Sequence, residues 1–207
     1  AALGEHRFGV GRGVDDMVYI TVSTGIGGGL IIGGKIYGGV CGSAGEIGHM
    51  TIDVNGPRCR CGNIGCLETL ASGTAVAAEA RKRVAQGVKT SMLELAGGEP
   101  GDITDSTRWW NHPGRARVAL DLVSRAGSYL GVGMVNLINI FNPEMIIVGG
   151  GMSRMGDMLL DPAREVVRER AFRLPADAVR IVISELGDDA GVLGAAAFVR
   201  DQCNATL

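Results

Sequence analysis

"MVYITVSTGIGGGLIIGGKIYGG" runs from Met17 to Gly39, and its reading decides the fold. "MVYITV" (Met17–Val22) is short and rich in β-branched residues, as a buried strand is. "STGIGGG" follows as a glycine-rich turn. "LIIGGKIYGG" then reads as strand, Gly33-Gly34 turn and strand, a β-hairpin. Glycines after a strand raise the question of phosphate binding. Gly29–Lys35 fits the first seven positions of a P-loop, but Ile36 stands where Ser or Thr should bind magnesium, and a hairpin is the wrong setting. A dinucleotide fingerprint fails as well, because Leu30 takes the third glycine's place after Gly25 and Gly27. What remains in "VSTGIGGGL" is a run of small residues whose backbone N–H groups, with the Thr24 hydroxyl, can form a concavity for phosphate oxygens. A plain hairpin-entry turn is the competing reading.

Downstream, "CLETLASGTAVAAEARKRVAQ" (Cys66 to about Gln86) has helical composition. Gly97 to about Gly114 is loop-like, with Trp109 and Trp110 read as local packing. Arg115–Phe141 reads as a long helix. "NPEMIIVGGG" gives a turn, a buried strand and a second glycine turn at Gly149–Gly151, for which a simple strand-to-helix connection is the alternative. Met155–Phe172 reads as an amphipathic helix, "VRIVISEL" as a strand and "DDAGVLGAAAFVRDQ" as a closing helix. A hairpin followed by alternating strands and helices makes a mixed α/β domain.

Composition narrows the function. Glycine supplies 34 of 207 residues, scattered through apolar sequence, so tight turns and close backbone approaches are expected rather than a linker. Net charge is −2 with no basic block, which points away from nucleic acid and from a membrane surface. The most apolar uncharged stretch, Ala126–Pro143, contains Ser128, Asn136 and Asn139 and reads as a core helix, not a membrane span. Five cysteines, clustered and odd in number, with no secretory signal at the start, point to a reducing, cytoplasmic setting. The chain opens on "AALGEHRFGVGRG", without Met and inside a helix-like pattern, so a piece of a longer protein is expected.

"CRCGNIGCLE" (Cys59–Glu68) holds three of the five cysteines. Cys59, Cys61 and Cys66 lie too close for a disulfide ladder, and Gly62 and Gly65 permit turns that aim three sulfurs inward. Three thiolates want a fourth ligand. His49, in "GEIGHM", is the candidate; Cys41 competes, in a hairpin-like segment expected to bury it as a small hydrophobe. Sulfur with one imidazole favours structural zinc, and three reduced thiols without metal is the alternative. Gathering His49 and Cys66 would also draw Glu46 and Glu68 together. Two converging carboxylates can grip sugar hydroxyls. Otherwise Glu68 merely complements a helix N-terminus and Glu46 is solvated.

Taken together, "STGIGGGLIIGGKIYGG", "AGEIGHM", "CRCGNIGCLE" and "NLINIFNPEMIIVGGG" resemble the ROK family of bacterial sugar kinases and sugar-responsive repressors, in order and over essentially the whole chain. The likeness is strongest to its glucokinases. It implies an α/β, actin-like (ribonuclease H-like) ATPase fold. It implies zinc on His49, Cys59, Cys61 and Cys66, and sugar hydroxyls on Glu46, His49 and Glu68. It also implies Mg-ATP, with the phosphates facing Thr24, Gly25, Gly27, Gly28 and Gly29 and the adenosine near Gly149, Gly150 and Gly151. A hexose and ATP are the implied partners, and a homodimer is the assembly common in such families. The family's Asp-x-Gly-Gly-Thr loop and the segment bearing its general-base Asp are not found in these residues. Residues 1–207 are therefore expected to be the C-terminal, larger domain of a hexose kinase, inactive alone, with the base supplied upstream of residue 1. Asp15 and Asp16 precede a strand and read as turn caps, not substitutes for it. The helix over 190–207 is expected to pack on the smaller lobe. The alternative is the sugar-sensing effector domain of a repressor of this family.

Overall fold

The computed structural model describes residues 1–104 and 117–204. Trp109, Trp110 and the expected helix start at Arg115 lie outside the described residues. Five strands form one mixed sheet: β1 (Met17–Val22), β2 (Ile26–Ile32), β3 (Lys35–Ile36), β4 (Met145–Gly149) and β5 (Arg180–Ile183), in the order β3-β2-β1-β4-β5. The β1–β2–β3 meander is antiparallel, with Met17 opposite Ile31 and Val22 opposite Ile26. The β1–β4–β5 half is parallel, Met17 facing Met145 and Thr21 facing Gly149. Gly33 and Gly34 take φ of +56° and +73°, which a two-residue hairpin turn with the sheet's twist requires. The Asp16 carboxylate caps that turn, accepting the Gly33 N–H at 2.9 Å.

The expected glycine turn at Ser23–Gly29 is shorter than the sequence reading has it. The chain reverses over Ser23–Gly25, closed by the Ser23 N–H on the Gly25 carbonyl at 2.9 Å. Gly27, Gly28 and Gly29 belong to β2, opposite Thr21, Ile20 and Tyr19. Their lack of a side chain serves packing instead. A Cβ on Gly28 would stand 2.2 Å from Ile47 Cδ1, and one on Gly29 would stand 2.7 Å from Ala2 Cβ.

Alternation along β1 builds both layers, because successive side chains point to opposite faces. Val18, Ile20 and Val22 face the main core, and Met17 and Tyr19 face the other side. On that second side lies α1 (Ala2–Phe8). The main face carries α2 (Leu67–Ala71), α3 (Gly73–Ala85), α4 (Ser91–Leu95), α5 (Arg117–Phe141) and α6 (Asp157–Arg170); α7 (Arg173–Ala178) leads into β5, and α8 (Ala190–Asn204) closes the chain beside α1. One helix, α5, is long and apolar enough by composition to cross a membrane. Here Leu130, Met134 and Ile138 are fully buried in the core. It packs so closely on α6 that a Cβ on Gly127 would stand 2.3 Å from the Leu159 carbonyl oxygen, a separation only glycine tolerates.

Two buried polar groups on α1 were not marked by the sequence pattern. The Glu5 carboxylate, with no exposed surface, accepts the Val10 N–H at 3.0 Å, the Leu186 N–H at 2.9 Å and the Ser184 hydroxyl at 2.5 Å. Its charge is satisfied, and it pins α1 to the loop after β5. His6 is buried with Nδ1 lacking a partner among the described residues. Burial first and the neighbouring Arg7 second push its pKa below the ordinary value. The unfolded chain therefore takes up the proton more readily, so stability is fullest when His6 is neutral. Melting temperature should fall as pH drops through about 6.5, the ordinary histidine value. A His6→Gln chain should lose part of that slope, and identical pH profiles for the two would contradict it.

Candidate functional site

The helix expected over Cys66–Gln86 is two helices. Ser72 breaks it with extended backbone (φ −74°, ψ 163°) and then caps α3, its hydroxyl accepting the Ala75 N–H at 3.2 Å. The break docks the glycine turn. The Gly73 N–H donates to the Ser23 carbonyl at 2.7 Å, and the Thr74 hydroxyl donates to the Thr24 carbonyl at 2.7 Å. The second glycine turn lies alongside: Gly150, at φ +82°, would drive a Cβ to 2.6 Å from the Val22 carbonyl oxygen, and Gly151 sits against Ser23. Thr24, Gly25 and Gly149–Gly151 thus gather at the carboxyl ends of the adjacent parallel strands β1 and β4, where open α/β sheets bind ligands. Gly28 and Gly29 run away from this point along β2.

The cysteine loop is a compact knuckle. The Cys59 N–H donates to Asn63 at 2.8 Å, Gly62 back to Cys59 at 3.0 Å, and Gly65 to Pro57 at 2.8 Å. Gly65 has φ +66°, and a Cβ there would stand 1.6 Å from the Asp53 carbonyl oxygen; no other residue fits. His49 enters from a short 3-10 turn, Ile47–His49. The ligand atoms of His49, Cys59, Cys61 and Cys66 all lie within 4.8 Å of one another. The imidazole Nδ1 is 3.7 Å from Cys59 Sγ, and Cys61 Sγ is 3.6 Å from Cys66 Sγ. A tetrahedral zinc with bonds of about 2.3 Å to sulfur sets its ligand atoms about 3.8 Å apart, so the four residues fit that ion. Burial, and then the neighbouring thiols, push the Cys66 thiol up to about 12. A cation among the sulfurs reverses that penalty. Cys41 is exposed. Its expected burial as a small hydrophobe is wrong, because the Tyr37–Gly45 segment lies on the surface with Val40 fully exposed.

Both carboxylates sit at the Ile26 end of β2. Glu46 Oε2 is 3.9 Å from His49 Nε2, the ring nitrogen turned away from the sulfurs. Glu68 Oε2 accepts the Ile26 N–H at 2.9 Å. Between Glu46 and His49, Gly48 closes on the Ile26 carbonyl so tightly that a Cβ would stand 2.0 Å from it. A cavity of about 430 Å³ opens beside Glu68, lined by Thr24, Gly25, Glu68, Ser72, Thr74 and the two arginines beside Cys59; Glu46 and His49 are not among its lining residues. Those arginines, Arg58 and Arg60, escaped the sequence reading; being charged and exposed, they carry no pattern in a single sequence. The other large cavity, about 440 Å³ between α3 and α5, contains none of the candidate side chains.

The fold is the actin-like ATPase fold, with a thiol–imidazole knuckle inserted beside the carboxyl ends of β1 and β4. The chain belongs to the ROK family, whose model matches residues 1–202. It is 42% identical over 205 residues to a glucokinase of Halalkalibacterium halodurans, covering 99% of this chain and 62% of the relative. It is 39% identical over 198 residues to a xylose repressor of Caldicellulosiruptor bescii, covering 96% of this chain and 49% of that relative. The crystal structure of a ROK family glucokinase from Streptomyces griseus, in complex with glucose and AMPPNP, superposes with a TM-score of 0.85 at 36% identity, covering 97% of this chain and 65% of that one. The chain therefore spans about half to just under two-thirds of the length of these three proteins.

Proposed function

We propose that the whole protein is a cytoplasmic hexose kinase, glucose being the favoured substrate, and that these 207 residues form its larger domain. The observation that carries this reading is the meeting of two glycine turns, at Thr24–Gly25 and Gly149–Gly151, with Glu68 packed against the first. In this reading Glu46, Glu68 and His49 Nε2 hold sugar hydroxyls. Zinc on His49 Nδ1, Cys59, Cys61 and Cys66 supplies a rigid anchor for the ring. Thr24 and Gly25 face the phosphates of Mg-ATP, and Gly149–Gly151 lie near the adenosine. A hexose hydroxyl oxygen bonds to the γ-phosphorus as the bond to the β,γ-bridging oxygen breaks. ADP leaves, and the hydroxyl proton passes to an aspartate outside these residues. Such chemistry needs positioning and charge stabilisation more than covalent help. The smaller lobe would cover α8, whose Val192, Phe198 and Val199 are exposed.

Losing a general base alone costs about 10²–10⁴ in rate, so the 207-residue chain should show no turnover of ATP and hexose, while the full-length protein phosphorylates hexose. A clean rate from the isolated chain, or none from the full-length protein with a panel of hexoses, would contradict this. The second reading, a sugar-sensing regulator's effector domain, is favoured by the xylose repressor match over 96% of the chain. Nucleotide binding by the full-length protein supports the kinase; sugar binding without it supports the regulator.

A further inference from the structure

We propose that Arg58 and Arg60 form a guanidinium clamp for phosphate esters on the cavity wall shared with the Thr24 turn. The inference deepens the kinase reading and rests on it for the identity of the ester. The two arginines flank Cys59, and both line the 430 Å³ cavity with Thr24, Gly25, Ser72 and Thr74. Arg7, Arg83, Arg154 and Arg164 are engaged by aspartates. Among the described residues, Arg58 and Arg60 have no such carboxylate and no side-chain hydrogen bond.

The backbone that carries them is nonetheless held. Arg58 pairs its backbone with Ile64 in an isolated bridge, and the Cys59 N–H between them is tied to Asn63 at 2.8 Å. The one carboxylate on the cavity wall is Glu68, and its Oε2 already accepts the Ile26 N–H. The same cavity is lined by Ser72 and Thr74 at the start of the 13-residue α3, whose first N–H groups are largely taken by Ser23 and Ser72, which leaves the charge on an anion to the two arginines. Two forked guanidinium groups lining one cavity suit a multiply charged phosphate; a neutral sugar needs neither. The ester is either the phosphate tail of the nucleotide or the phosphorylated sugar product.

The test titrates ADP, inorganic tripolyphosphate and hexose 6-phosphate into the 207-residue chain by calorimetry. The same ligands are titrated into an Arg58→Ala/Arg60→Ala chain and an Arg58→Lys/Arg60→Lys chain. Both positions are exposed, so melting temperature should not move. The Ala pair should weaken phosphate binding about tenfold or more, with part regained by Lys. The parent's affinity should also fall more steeply with salt than the Ala pair's. Collapse of ADP binding assigns the clamp to the nucleotide; collapse of hexose 6-phosphate binding assigns it to the product. Tripolyphosphate binding that depends on the arginines, with no ADP or hexose 6-phosphate bound, keeps the clamp for bare phosphate and removes its assignment to the nucleotide or the sugar product. ADP binding indifferent to both arginines keeps the kinase reading and removes the clamp. Failure of the parent to bind any of the three overturns the clamp.

Discussion

Replacing Cys66 by alanine should strip the protein of zinc and lower its melting temperature by roughly 6–20 °C, the equivalent of about 3–5 kcal/mol in a chain of this size. The parent should carry one zinc per chain and the variant none, read by elemental analysis after gel filtration under reducing conditions. Zinc-finger peptides, unfolded without metal, draw about 10–16 kcal/mol from zinc. This knuckle should draw less, because Cys59–Asn63, Gly65–Pro57 and Ile52–Gly65 backbone hydrogen bonds already shape it and a formed core lies beneath. Cys66 is fully buried at the start of α2, so its loss combines a missing ligand with a small cavity. Cys61 separates the two effects: its thiol is exposed, so Cys61→Ala should lose metal with little loss of packing. Chelation of the parent should reproduce the Cys61→Ala melting curve. A metal-free parent, or a melting temperature indifferent to chelation, would sink the assignment.

The knuckle was legible in the sequence because its chemistry is local. Three cysteines and two glycines within ten residues leave few arrangements, and only the fourth ligand had to come from elsewhere. His49 over Cys41 is a tertiary fact, decided by the 3-10 turn that packs Gly48 against β2. The strands β1 and β4 and the Gly33-Gly34 hairpin were also readable, being short β-branched runs bounded by glycine. The boundary between turn and β2 was not. Glycine carries no side-chain alternation, so "GIGGG" gives no period from which to tell strand from loop; its strand character comes from pairing with β1. The break at Ser72 was hidden for a related reason. Ser-Gly costs a helix about 1 kcal/mol relative to alanine, which an alanine-rich run can absorb, so the dipeptide alone did not decide the break; what ends the helix is the docking of the Ser23–Thr24 turn, fifty residues away in the chain. Glu5 was invisible because a lone glutamate on a short helix looks solvated until the loop after β5 closes over it.

Glu68→Gln in the full-length protein should lower kcat/KM for the hexose by about 10²-fold while leaving stability within about 0.5 kcal/mol. The Ile26 N–H needs only an acceptor at 2.9 Å, and an amide oxygen serves. A sugar hydroxyl held by a carboxylate makes a charge-assisted hydrogen bond, worth about 1.5–3 kcal/mol, or about 10–150-fold, and an amide forfeits it. Glu68→Ala removes both roles. It should lose at least as much activity and, by stranding a buried N–H, about 1–3 kcal/mol of stability. Gly25 is what lets the carboxylate come so near, since a Cβ there would stand 2.5 Å from Glu68 Oε2; the turn and the acid are fitted to each other. Parent-like kcat/KM in the Gln variant would remove Glu68 from the sugar's partners and leave it as a strut for the β2 entry. If the protein is instead a sugar-sensing regulator, the same substitution weakens hexose binding by a comparable factor with no turnover to lose. The pair of variants therefore separates what Glu68 does for the fold from what it does for the ligand under either reading.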